Sequence, residues 1–169
     1  MFIDEVHVRL TAGEGGNGCN SHYKDRFHTG KIGRPDGGPG GDGGSIIFRA
    51  DSNVRTLLDI QYRQHIRAHS GLHGGSNSKK GARGDDLVVL VPPGTLIRDY
   101  DNGLVLRDLV KPGDSAVIAK GGAGGCGNSK HREAEYGSPG EDRRRKLERK
   151  LIADVGIVGY PNGGMSTFI

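Results

Sequence analysis

Glycine recurs at every third position in several short runs of this chain: at Gly37, Gly40 and Gly43, and in a second register at Gly38, Gly41 and Gly44. The same step joins Gly13 to Gly16, Gly15 to Gly18, Gly71 to Gly74 and Gly81 to Gly84, and it returns at Gly121, Gly124 and Gly127. A polyproline II helix has three residues per turn, so this period places all the glycines of a run on one edge. With no side chain on that edge, neighbouring extended segments can approach backbone to backbone. A flexible linker would show no fixed period and more serine. A collagen triple helix needs a long unbroken repeat, whereas these runs stop after two or three triplets. The pattern therefore predicts several short polyproline II segments packed against one another within one chain.

Between the glycine runs lie short β-type stretches. Val6, Val8 and Leu10 alternate with polar residues, Ile46-Ile47-Phe48 follows a glycine cluster, and Leu87 to Val91 runs up to Pro92-Pro93-Gly94. Thr95-Leu96-Ile97, Leu104-Val105-Leu106 and Ala116-Val117-Ile118 complete the set. Strands at this spacing, punctuated by Pro, Gly and Asn-Gly, predict a mainly β fold with an antiparallel sandwich or barrel as its base. Asn102-Gly103 reads as a tight hairpin turn in which both residues tolerate positive φ. The stretch from Thr56 to His69 fits either a strand with a turn or a short helix, and Arg143–Lys150 a surface strand or helix. The hydrophobic share is only 33%, with no Trp, so the core must be small. Its concentration in the β-type runs is what argues against disorder.

Charge narrows the partners. The chain has 24 Lys and Arg against 20 Asp and Glu, a net +4, which favours nucleic acid or another anionic surface. No apolar run approaches the ~20 residues of a membrane span, and no signal or transit segment precedes the first strand pattern. The expectation is a soluble intracellular chain. Cys19 and Cys126 fit no metal or redox spacing and are read as reduced, non-catalytic thiols.

Three groups of residues carry possible chemistry. The first is a loop after the apolar stretch Val155-Gly156-Ile157-Val158. Gly159, Asn162, Gly163, Gly164, Met165, Ser166 and Thr167 follow the pattern G-x-x-x-x-G-K-[ST] at every position except the lysine, which is Met165. Loop amides of this kind cradle phosphates, and Ser166 is the residue placed to hold Mg²⁺. Met165 supplies no charge, which weakens phosphate binding and removes a transition-state contact. The competing reading is a chance match in a glycine-rich chain, and the preceding apolar strand argues against it. The second group is His65, His69 and His73, which on a helix would face one way as metal ligands. Gly71, Gly74 and Gly75 argue against a helix there and for exposed histidines.

The third group comprises basic clusters beside the glycine runs: Lys24, Arg26, Lys31 and Arg34, then Lys79, Lys80 and Arg83, then Lys130 and Arg132. If the extended segments lie side by side, these clusters could gather at one tip suited to RNA phosphates. Ordinary solvated charge explains them equally well on these residues alone.

Taken together, MFIDEVHVRLTAGEGGNGC, GRPDGGPGGDGGSIIF, VVLVPPGTLI, VIAKGGAGGCGN, SPGED and LIADVGIVGYPN resemble the Obg GTPases, in order and along essentially the whole chain. The resemblance implies a glycine-rich domain over residues 1–151, with paired polyproline II helices projecting from a small β-barrel. It implies that 152–169 begin an α/β GTPase domain. It further implies action in maturation of the large ribosomal subunit, with the glycine-rich loops contacting ribosomal RNA through the basic clusters. GTP or GDP and Mg²⁺ would be the cofactors of the full-length family. This chain, with Met165 and so little of the GTPase domain, is expected to bind none and to be inactive as a hydrolase. A monomer in the cytoplasm is implied, or in a mitochondrion or chloroplast if a transit peptide has been removed. The alternative function is a non-catalytic protein-interaction module that uses its glycine helices.

Overall fold

The computed structural model describes residues 4–23 and 33–150. Ten strands and one short helix follow in the order β1 (Glu5–Thr11), β2 (His22–Tyr23), β3 (Arg34–Pro35), β4 (Ile46–Ala50), α1 (Leu58–Tyr62), β5 (His65–Arg67), β6 (Leu87–Val91), β7 (Thr95–Asp99), β8 (Val105–Leu109), β9 (Ser115–Ala119) and β10 (Asp142–Arg149). A five-stranded sheet has the order β5-β1-β10-β7-β8, a three-stranded sheet the order β6-β4-β9, and β2 pairs with β3 alone. Val6, Val8 and Leu10 of β1 point inward with Ile97 and Leu147, and they share one apolar cluster with Ile46, Phe48, Val91 and Ile118 of the smaller sheet. The base is thus a sandwich in which the period-2 alternation of β1 puts every second side chain into a common core.

Several sequence expectations change in detail. Most pairings are antiparallel, but β1 with β5 and β4 with β6 run parallel. Parallel partners need a long crossover, and the glycine-rich excursions between the strands supply it. The open stretch after Thr56 resolves into one helical turn, α1, which buries Ile60, followed by β5. Residues 143–150 lie almost wholly within β10, which is central rather than at the surface because β1 and β7 pair with its two edges. Its Arg145 turns inward beside Leu147 and is held by Asp99 at 2.8 Å. At the β7–β8 turn only Gly103 has positive φ (66°), so the two-residue turn expected at Asn102-Gly103 is replaced by a longer one. There the Leu104 amide donates to the Asn102 side chain at 3.1 Å, and the Gly103 amide to the Asp99 carbonyl at 3.1 Å.

The glycine runs form a bundle of six extended segments over residues 12–19, 36–44, 68–75, 79–86, 120–128 and 133–141. Segments 12–19 and 36–44 lie at its centre. The amides of Gly13, Gly16 and Cys19 donate to the carbonyls of Gly44, Gly41 and Gly38, stepping by three residues on both segments. The amides of Gly71 and Gly74 donate to Glu14 and Asn17, those of Gly40 and Gly43 to Gly125 and Gly122, and those of Gly81 and Gly84 to Pro39 and Asp42. Each lies at 2.8–2.9 Å. A methyl group on Gly16 would overlap the Leu72 carbonyl, and one on Gly41 the Ala82 carbonyl. Among the described residues, the glycines with positive φ are Gly94, Gly103 and Gly113, in turns outside the bundle. Inside it, at positions such as Gly16 and Gly41, glycine is required by the closeness of the next backbone and not by its own dihedral angles.

Candidate nucleic-acid interface

Each strand that leaves the base toward the bundle sends out one segment and receives the next. Segment 12–19 leaves β1, and 36–44 returns into β4. Segment 68–75 leaves β5 and 79–86 returns into β6, while 120–128 leaves β9 and 133–141 returns into β10. At the end of the bundle far from the sandwich lie three connections: the β2–β3 pair and the turns at 76–78 and 128–132.

A hydrogen-bonded latch joins these three connections. The Ser21 hydroxyl donates to Asp36 Oδ1 at 2.6 Å, and the Asn77 amide to Asp36 Oδ2 at 3.1 Å. The Ser78 amide donates to the Asp36 carbonyl at 2.6 Å. Asn128 closes the third side: its Nδ2 donates to the Ser21 carbonyl at 2.7 Å and its Oδ1 accepts from the Gly37 amide at 2.8 Å. Asn77 and Ser78 have φ of 58° and 55°, a conformation that costs about 1–2 kcal/mol for a residue with a Cβ. Asp36 accepts both of their amides and so holds that turn in place.

The Ser21 hydroxyl holds the Asp36 carboxyl below the usual carboxylate range, against a lesser upward push from burial and with a further downward pull from the Asn77 amide. A depressed folded-state value means that the latch contributes stability above the ordinary value near 3.8 and loses it as pH falls through the folded value. Asp142, held low chiefly by Arg9, and Glu148, held low chiefly by Lys146 and then Arg98, act in the same direction. Thermal melts should show a midpoint that is flat above about pH 5 and falls below about pH 4. In Asp36→Asn, which keeps an acceptor oxygen but does not titrate, that fall should be shallower.

Removing the acceptor altogether has a larger effect. Asp36→Ala leaves the Ser21 hydroxyl and the Asn77 amide without their partner in the protein. The expected signature is faster amide exchange at Ser78 and Gly37 while the amides of β1 and β10 keep their protection. Uniform loss of protection would show that the latch is not local to the tips.

Around the latch the structure gathers part of the expected basic set. Lys79 and Lys80 follow the Asn77-Ser78 turn, Lys130 sits in the 128–132 turn, and Arg34 lies in β3; all four are exposed. None of the four forms an ion pair among the described residues. Arg83 lies further back along its segment and pairs with Asp86 at 3.1 Å, while Arg132 pairs with Glu135 at 3.6 Å. Those two cations are partly neutralised and are weaker candidates than their sequence clusters suggested. Lys24, Arg26 and Lys31 fall outside the described residues, as does the whole loop of Gly159, Asn162, Gly163, Gly164, Met165, Ser166 and Thr167.

His65, His69 and His73 are exposed, as the neighbouring glycines suggested, and backbone geometry gives the metal-ligand alternative no support. His65 is in β5, and His69 and His73 are in an extended segment, so a spacing of four does not bring them to one face. His73 instead accepts the Asn17 amide at Nδ1, at 2.8 Å. No cluster of three or more metal-ligating side chains exists among the described residues. Cys19 and Cys126 are free thiols. Sequence reasoning missed Ser21, Asp36 and Asn128. The available signal was a short polar residue immediately outside a glycine run, as in Pro35-Asp36-Gly37 and Gly127-Asn128-Ser129.

A β-sandwich thus carries the glycine bundle, with exposed cations at the bundle's far end. The family description GTP1/OBG matches residues 3–151, and the chain belongs to that family. It is 44% identical to the GTPase Obg of Persephonella marina over 99% of this chain and 51% of that protein. It is 46% identical to the GTPase Obg of a Sulfurihydrogenibium species, over 100% of this chain and 51% of that protein. It is 48% identical to that of Corynebacterium urealyticum, over 100% of this chain and 34% of the relative. The chain thus spans about half the length, or less, of the curated relatives it matches. No helix among the described residues is long and apolar enough to cross a membrane.

Proposed function

We propose that this chain is the ribosome-binding part of an Obg-type GTPase that acts in large ribosomal subunit assembly, and that its latched tips contact ribosomal RNA. The observation that carries this reading is the joining of three connections by Ser21, Asp36 and Asn128, with Lys79, Lys80, Lys130 and Arg34 exposed around them. Cations fixed on a stiff projection lose little freedom on meeting phosphates, so more of their attraction is realised as affinity. The bundle segments are read as polyproline II helices, in agreement with their three-residue step of hydrogen bonds.

GTP binding and hydrolysis are proposed for a domain beginning near residue 152. There the loop amides and Ser166 would hold nucleotide phosphates and Mg²⁺. Met165 lacks the charge that lysine brings to such a loop, so nucleotide affinity is expected to be low. A monomer working in the cytoplasm, or in an organelle matrix, completes the reading.

One observation favours a protein partner instead. Val88, Ile47 and Val117 pair across the three-stranded sheet as an outward-facing apolar row, with Val88 and Val117 well exposed. A pull-down of large-subunit particles with the immobilised chain separates the two. Recovery that disappears after RNase treatment is expected, and recovery that survives it would favour protein recognition.

A further inference from the structure

The outward face of the five-stranded sheet has a composition that folding does not require. Arg9 of β1 lies directly opposite Arg144 of β10, and Lys146 of β10 lies opposite Arg98 of β7. Like charges placed directly across a strand pair destabilise a sheet. The second pair is compensated, since Glu148 meets Arg98 at 2.9 Å and Lys146 at 3.0 Å, and Glu5 meets Lys146 at 3.0 Å. In the first pair Arg9 is held by Asp142, with Arg9 Nε donating at 3.0 Å. Arg144 is exposed and has no carboxylate partner among the described residues.

Beside this arginine, whose charge reaches Asp142 while Asp142 itself is engaged by Arg9, the sheet offers rings. His7 and Tyr100 meet edge to face with centroids 5.3 Å apart, and Tyr100 is 49% exposed. His7, Arg9, Gln64, His65, Tyr100 and Arg144 line a shallow hollow of about 240 Å³. Arg9 and Arg144 also line an adjoining hollow of about 330 Å³ with Arg143 and Arg145, where Asp99, Asp101 and Asp142 supply the opposing charge. An exposed aromatic ring on a β-sheet, next to a guanidinium outside salt-bridge distance of any described carboxylate and to amide or imidazole hydrogen-bonding groups, is the equipment that single-stranded nucleic acid uses. A base stacks on the ring, and its phosphate meets the arginine.

We propose that this sheet face is a second RNA-binding site, taking an unpaired nucleotide of an RNA strand. Its base stacks on Tyr100, its phosphate pairs with Arg144, and Gln64 and His65 lie within the same hollow to meet the base edge. The site lies on the sandwich, away from the latched turns, and does not depend on their role.

The test uses the hexaribonucleotide rU6, titrated into the 169-residue chain and into a variant with Lys79, Lys80 and Lys130 changed to Glu. The expected result is similar rU6 affinity for both proteins. Tyr100→Ala should weaken binding about tenfold or more, Tyr100→Phe should stay within about twofold because the ring is kept, and Arg144→Glu should weaken binding and flatten its salt dependence. Tyr100 and Arg144 are exposed, so melts of these variants should match the parent and exclude misfolding. Absence of rU6 binding by the parent overturns the proposal. So does binding lost in the lysine variant but unaffected by Tyr100→Ala and Arg144→Glu. UMP that binds as tightly as rU6 would overturn the strand and assign a free-nucleotide site.

Discussion

Gly41→Ala lowers the thermal midpoint by about 10 °C, whereas Gly75→Ala leaves it within about 3 °C. Gly41 is buried at the centre of the bundle, where its amide donates to the Leu72 carbonyl and its own carbonyl accepts from Gly16. A methyl group there would run into the carbonyl of Ala82 and approach that of Gly81. Backbone cannot swing aside as the end of a side chain can, so segment 79–86 must separate from 36–44. That movement strains the bonds from Gly81 to Pro39 and from Gly84 to Asp42. Two buried bonds left unmade cost about 1–3 kcal/mol each. The sum of about 2–6 kcal/mol, at about 2–4 °C per kcal/mol for a domain of this size, is centred close to the stated shift.

Gly75 is the control because a methyl group there meets only the Lys79 Cβ, at an ordinary 3.4 Å, and the Lys79 carbonyl at 4.0 Å. Its replacement should be nearly neutral. Equal effects at the two sites, read by calorimetry, would mean that the bundle is not held by backbone proximity.

Changing Lys79, Lys80 and Lys130 together to Glu weakens association with large ribosomal subunits by about 100-fold or more near 0.1 M salt. Each phosphate contact contributes a slope of about −0.7 to −0.9 to log K against log salt. Three lost contacts therefore remove about two units of slope, and about two decades of affinity at that salt. Repulsion from the new carboxylates adds to the loss. All three lysines are exposed and outside the core cluster, so stability should be unchanged. The corresponding change at Arg83 and Arg132 should have a smaller effect, because Asp86 and Glu135 already oppose those charges. A titration across salt in which the lysine variant keeps the parent's slope would remove these residues from the interface.

Much of this fold is readable in the chain because two periods coexist in it. Alternation at Val6, Val8 and Leu10 announces a half-buried strand, and the three-residue step from Gly37 to Gly43 announces a surface stripped for close backbone contact. What is hidden depends on pairings between distant residues. Nothing local to residues 143–150 shows that β10 lies between β1 and β7, so Arg145 looks like one more surface charge until Asp99 is placed beside it. The parallel pairing of β4 with β6 likewise depends on excursions whose return path no local pattern encodes. The latch joins residues from three connections, so Asp36 gains its meaning only when Ser21 and Asn77 arrive. The neutralisation of Arg83 by Asp86, in contrast, is a separation of three residues and could have been anticipated.

On the proposed function, the glycine bundle itself delivers cations to ribosomal RNA. Cosedimentation of the 169-residue chain with purified large ribosomal subunits, from about 50 to 200 mM salt, tests it most directly. The chain should bind at the low end, and binding should fall steeply, by at least about tenfold, across that range. Absence of binding at every salt concentration, or binding that salt does not weaken, would contradict that function.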